Sequence, residues 1–169
     1  MKRFLRWCSA LILLAFAIVI VAAIAARFND GPLGIFAGGP LESGQRMDRS
    51  LENWDIYRGT QTVDLQLEQP PRSRTVWILV DEQNLYIPAG FIKSVPFWKQ
   101  WPHEALEDGR ALVRIDGKIY PVLLVREDDP TLRLRLFKKL SAKYDLPSPD
   151  ANPDPEDTWV FRAAPRPTP

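Results

Sequence analysis

Few side chains here could carry chemistry unaided. Histidine occurs once, as His103 between Pro102 and Glu104, and cysteine once, as Cys8. A catalytic triad, a cysteine nucleophile or a Cys/His zinc site needs partners that two isolated residues cannot supply. A metal would have to be held by carboxylates. Asp150, Asn152, Asp154 and Glu156 alternate as calcium-loop ligands do, but Pro155 stands where the turn needs glycine and Phe161 where it needs a bidentate glutamate. No metal is expected. Gly31-Pro32-Leu33 and Gly39-Pro40-Leu41 bracket Gly34 and Gly38. With no strand before them and no Gly-Lys-Ser/Thr ending, they read as an ordered loop or a linker and not as a phosphate cradle. Residues 89–102 are aromatic and basic, with Phe91, Lys93, Phe97, Trp98, Lys99 and Trp101. Phe97, Trp98 and Trp101 have helical spacing, which suggests a short helix across the mouth of a barrel, its rings serving mainly as packing. What remains is chemistry borne by a cofactor, or none.

The elements that would position such a site are mostly strands. Residues 60–68 place Val63, Leu65 and Leu67 two apart, and residues 74–80 (RTVWILV) are rich in β-branched and aromatic residues. Pro70-Pro71 separates the two. A polar turn at 81–84 leads to Leu85-Tyr86-Ile87, which Pro88 is expected to end. Asp116-Gly117 between 111–115 and 118–125 signals a type I′ hairpin. Asp129-Pro130 supplies an N-cap and a first helical residue. After it Leu132, Leu136, Leu140 and Tyr144 recur every four residues, with Arg133, Arg135, Lys138, Lys139 and Lys143 on a solvated remainder. Residues 147–155 are a Pro- and acid-rich spacer, and 158–162 (TWVFR) has strand character and would close the sheet. Residues 48–57 read as a short strand or as coil. The fold class is mainly β with short helices, α+β.

Ahead of all this, residues 7–26 contain no charge. At helical rise they span about 30 Å, the thickness of a bilayer core. Lys2, Arg3 and Arg6 precede the block and only Arg27 follows closely, so the positive-inside bias exports what comes after it. The competing reading is a cleaved signal peptide with Ala23-Ile24-Ala25 at its end, although such apolar regions usually run to about 7–15 residues. The expected organisation is a cytoplasmic basic segment (1–6), a single-pass anchor in the inner, cytoplasmic membrane (7–27), a Gly/Pro-rich linker (28–50), one β domain on the exported side (51–163) and a disordered tail (164–169). All 21 Asp and Glu but only 18 of the 22 Lys and Arg follow residue 27, a net of −3, which gives no sign of a nucleic-acid partner. Cys8 lies inside the apolar block, so a disulfide within the exported domain is ruled out.

Arg72-Ser73-Arg74-Thr75-Val76-Trp77, Leu85-Tyr86-Ile87, residues 93–98, Val113-Arg114-Ile115-Asp116-Gly117-Lys118-Ile119-Tyr120-Pro121 and the Asp129-Pro130 helix together resemble the flavin-binding split β-barrel superfamily. The likeness is greatest to its deazaflavin-dependent nitroreductase-like and pyridoxamine-phosphate-oxidase-like branches, and it covers roughly residues 60–145. It implies a split antiparallel barrel of six strands whose open side, often completed by a second subunit in a homodimer, holds FMN or a related deazaflavin. Carried onto this chain, Arg72, Arg74 and Thr75 would take the phosphate, and Lys93 and Trp98 would lie in the loop that closes over the ring. Guanidinium forks suit phosphate and an aromatic suits a ring face. The resemblance also implies two-electron redox chemistry, with a cofactor-free envelope scaffold or interaction domain of the same shape as the alternative. Pro70-Pro71 departs from the deazaflavin branch, which usually carries a glycine-containing basic loop there.

Overall fold

Alternating hydrophobicity after residue 60 yields strands, and their order closes them into a barrel. The computed structural model describes residues 2–93, 99–146, 154 and 156–166. In chain order the elements are α1 (Lys2–Ala26), β1 (Gln45–Arg46), β2 (Thr62–Leu67), β3 (Arg72–Trp77), β4 (Leu79–Asp81), β5 (Asn84–Ala89), α2 (Trp101–Glu107), β6 (Arg110–Ile115), β7 (Lys118–Arg126), α3 (Pro130–Tyr144) and β8 (Trp159–Pro165). The strands pair in the order β3-β2-β6-β7-β8-β5-β4, and β1 adds a short parallel pairing to β7. The two ends of that path, β3 and β4, are consecutive in sequence with only Ile78 between them. They are two halves of one bent strand, the first paired to β2 and the second to β5. Counting them as one leaves six strands around a barrel. Every pairing along the path is antiparallel. This is a split antiparallel barrel, closed by covalent continuity at Ile78 and open where β3 diverges from β5.

The local reasons are those of the residues. Asp116 and Gly117 take φ of 49° and 71°, and Ile115 faces Lys118 across the turn, as a type I′ hairpin requires. Glu82 and Gln83 do the same at 46° and 67° between β4 and β5. Leu65, Leu67, Val113, Val122, Leu85, Ile87 and Phe161 fill the interior. On the outside, α3 lays Leu136, Phe137 and Leu140 on Leu79, Tyr86 and Val160. Asp129 caps α3 by accepting from the Thr131 N–H at 2.9 Å. Replacing this cap, Asp129→Ala, should cost about 1 kcal/mol, read as a lower urea midpoint at unchanged slope.

Two expectations need correction, at Pro88 and at the last strand, and two left open, at residues 48–57 and 29–44, are decided. Pro88 does not end its strand; it lies inside β5, opposite Val160. Proline is tolerated there because β4 pairs with β5 only as far as Tyr86, so the next residues border an edge with no ladder to supply. Residues 48–57 form no strand and end in a 3₁₀ turn, Asp55–Tyr57. The last strand runs on to Pro165, and Arg166 then forks onto Glu68. Residues 29–44 are an ordered loop packed on the sheet: Leu41 is fully buried and donates its N–H to Gln66, and Gly38 bridges to Ser73. Before this loop, Arg6–Ala26 of α1 has a mean hydropathy of 3.0, long and apolar enough to cross a membrane.

Candidate functional site

The divergence of β3 from β5 opens a groove of about 710 Å³, a volume typical of small-molecule sites. Arg72, Arg74, Thr75 and Trp77 line it from β3, Pro88 from β5, and Lys99, Gln100 and Trp101 from the start of α2. Residues 34–37 of the docked loop and Arg27, just past α1, complete the lining. Proline suits this border, since it has no N–H to leave unpaired on the open side.

Arg74 is the exceptional residue. It shares its face of β3 with Val76, which belongs to the barrel core, and its guanidinium lies 5.8 Å from the centre of the Trp101 ring. Its Nε is buried with no hydrogen-bond partner among the described residues. Burial pushes its pKa down to about 10, Glu104 opposes the shift and neighbouring Arg72 adds to it. The side chain therefore remains a cation at pH 7, stripped of much of its water and crowded by a second guanidinium. An anion in the groove would relieve both penalties.

Three of the residues expected to bind a cofactor thus meet at one groove: Arg72, Arg74 and Thr75. The Thr75 hydroxyl also donates to Asp64 at 3.3 Å, so engaging a phosphate would mean rotating away from that carboxylate. Lys93 is not among them. Its backbone N–H donates to Asp157 at 2.7 Å and its ammonium to Glu156, with Asp154 at 3.9 Å; the Glu156 contact chiefly raises its pKa. Trp98 lies outside the described residues. Lys99 and Trp101, from the same aromatic and basic stretch, line the groove instead. The Lys99 ammonium donates to the Gly90 carbonyl at 2.6 Å, and burial lowers its pKa. Sequence periodicity marked the stretch as notable but could not say which of its members turn inward.

The other candidate groups are engaged elsewhere. His103 stands edge-on to Trp159, ring centres 4.9 Å apart. Asp154 and Glu156 turn to Lys93, while Asp150 and Asn152 lie outside the described residues. Among the described residues no three His, Cys, Asp or Glu side chains gather as a metal site. The loop that carries residues 34–37 is fixed by Arg114, which reaches Asp30 at 2.9 Å and Asp64 at 3.0 Å. Asp30 also accepts from the Ser43 hydroxyl and the Glu42 N–H, and these bonds, with Arg114 adding to them, hold its pKa at about 2.

No family model matches the chain, and no curated protein does. Among solved structures, the chain is similar to a protein of Listeria innocua provisionally named a pyridoxamine 5'-phosphate oxidase. The identity is 19%, the match covers 65% of this chain and 87% of that one, and the TM-score is 0.48. It is also similar to an F420 reductase at 15% identity, over 69% of this chain and 94% of the other, with a TM-score of 0.40. At such identities neither likeness bears on activity.

Proposed function

We propose that this chain is a membrane-anchored split barrel, its barrel on the exported side, that binds a flavin-type cofactor, FMN or a deazaflavin, in the groove between β3 and β5 and uses it for two-electron redox chemistry. The observation that supports this most is Arg74, a largely desolvated guanidinium that lines a ligand-sized groove and whose buried Nε has no hydrogen-bond partner among the described residues. The bound flavin would supply hydride transfer. The chain's own part is to bind and orient. Arg72 and Arg74 would fork onto the phosphate, Lys99 would add a third cation, and Trp101 would cover apolar ring surface and keep water from it.

Purified full-length protein in detergent should show a flavin absorbance band or quench FMN fluorescence on titration. Riboflavin, which lacks the phosphate, should bind more weakly. Lys99→Ala should weaken FMN binding by roughly tenfold, the loss of one partly screened charged contact, whereas Lys93→Ala should leave it unchanged. Colourless protein that quenches neither ligand would point to the cofactor-free scaffold instead.

A further inference from the structure

Residues 33–36 form a tight turn in which Leu33 and Phe36 exchange both backbone hydrogen bonds, at 3.1 and 3.0 Å. Gly34 supplies the positive φ, 58°, that the first central position of a type II′ turn demands. This leaves Ile35 at the tip, 81% exposed, and Phe28, just past the apolar helix, is 86% exposed. A lone exposed apolar side chain means little. These two differ in where they are held. The Gly38–Ser73 bridge and the Asp30–Arg114 ion pair fix their loop to the barrel, and α1 ends directly before it. Arg27, also exposed, stands between the helix and Phe28 and shares the groove lining with Ile35, Arg72 and Lys99. Apolar tips flanked by cations at the end of a membrane-length helix have the composition of a surface that enters the headgroup layer, with the cations matched to anionic lipid.

We propose that Phe28 and Ile35 are immersed in the interfacial layer of the bilayer that α1 crosses, with Arg27 against lipid phosphate, so that the β3–β5 groove opens at the lipid surface. This rests on the reading of α1 as a membrane span and is independent of the flavin. The test uses full-length protein in vesicles of phosphatidylcholine and phosphatidylglycerol, in a Cys8→Ser background, with an environment-sensitive fluorophore on Ile35→Cys or, for comparison, on Lys138→Cys. Lys138 is exposed on α3, which packs on β4, β5 and β8, across the barrel from the 29–44 loop. Because Ile35 is largely exposed and belongs to neither buried cluster, its replacement should leave the thermal melt unchanged. The expected result is a blue-shifted emission at position 35 that brominated lipids quench strongly, against a water-like, weakly quenched emission at 138. Equal, water-like emission at both positions in protein that co-floats with the vesicles would overturn the immersion and leave the anchor standing. Protein that fails to float with the vesicles would remove the anchor, and the immersion with it.

Discussion

Arg74→Met is expected to do two opposite things: abolish tight flavin binding and raise the melting temperature of the ligand-free chain. A charged hydrogen bond to phosphate contributes about 1.5–3 kcal/mol, so the variant should bind FMN roughly 10- to 150-fold more weakly. The stability gain follows from the sign of the pKa shift. A cation whose folded pKa lies below its unfolded value disfavours folding. Here burial brings Arg74 from the ordinary arginine range down to about 10, so the penalty is full at every pH below about 10 and is lifted only as pH climbs from there through that ordinary range. At pH 7 methionine removes it. Discounted for partial exposure, the gain is about 1–2 kcal/mol, a rise of roughly 3–6 °C. The contact with Trp101 at 5.8 Å opposes this only weakly, because a cation–π pair at that range contributes about 0.5–1 kcal/mol and a methionine sulfur on the ring replaces part of it. Calorimetry on the apo protein and FMN titration check the two effects separately. A variant that melts lower and binds as before would make Arg74 a packing residue. Arg74→Lys serves as a control, since it keeps the charge but not the fork and should recover little of the affinity.

The parts of this molecule that were legible in its sequence are those set by neighbours in the chain. Asp116-Gly117 makes its turn and Asp129-Pro130 starts its helix because the decisive atoms lie within four residues of each other. The parts that were not legible depend on distant partners. Lys93 and Lys99 are equivalent by composition; what separates them is an acidic segment some sixty residues on, whose Glu156 claims Lys93 and leaves Lys99 for the groove. Pro88 obeys the rule that proline avoids paired edges, but the unpaired edge beside it exists only because β3 and β4 bend apart at Ile78. The glycines of the 29–44 loop signalled an irregular backbone, and the need for Gly38 is long-range as well: a Cβ there would lie 1.8 Å from the Gly31 carbonyl oxygen. The Arg72, Arg74 and Thr75 cluster came from resemblance. The unpartnered Nε that makes Arg74 notable is a property of burial, which no local pattern encodes.

Arg114→Met should be strongly destabilising although it lies outside the barrel core. The Arg114 side chain is 16% exposed and bonds two carboxylates whose side chains are themselves mostly covered, Asp30 at 31% and Asp64 at 26% exposure. Its removal leaves two partly desolvated negative charges facing each other. A fully buried pair broken from one side costs about 3–5 kcal/mol; with this much solvent access the expected loss is about 2–3 kcal/mol. If charge is the cause, adding Asp30→Asn and Asp64→Asn to the variant should recover most of the deficit, whereas a loss of mere packing would not respond. Acid should lower the stability of both proteins. The depressed pKa of Asp30, about 2 in the folded chain against 3.8 for a free side chain, contributes stability that is present above 3.8 and lost as pH falls through about 2. Most of that shift comes from the Ser43 and Glu42 bonds, which Arg114→Met leaves in place, so wild type and variant should lose this part of their stability together and the gap between them should narrow only slightly toward pH 2. The change should also reach the groove. Arg114 ties down the loop that carries residues 34–37, so the variant should be cut by protease within residues 29–44 under conditions that spare the wild type, and FMN affinity should fall although no groove residue has been altered. An Arg114→Met protein with a free loop and unchanged FMN affinity would mean that the loop does not shape the groove, and that β3, β5 and α2 suffice to form it.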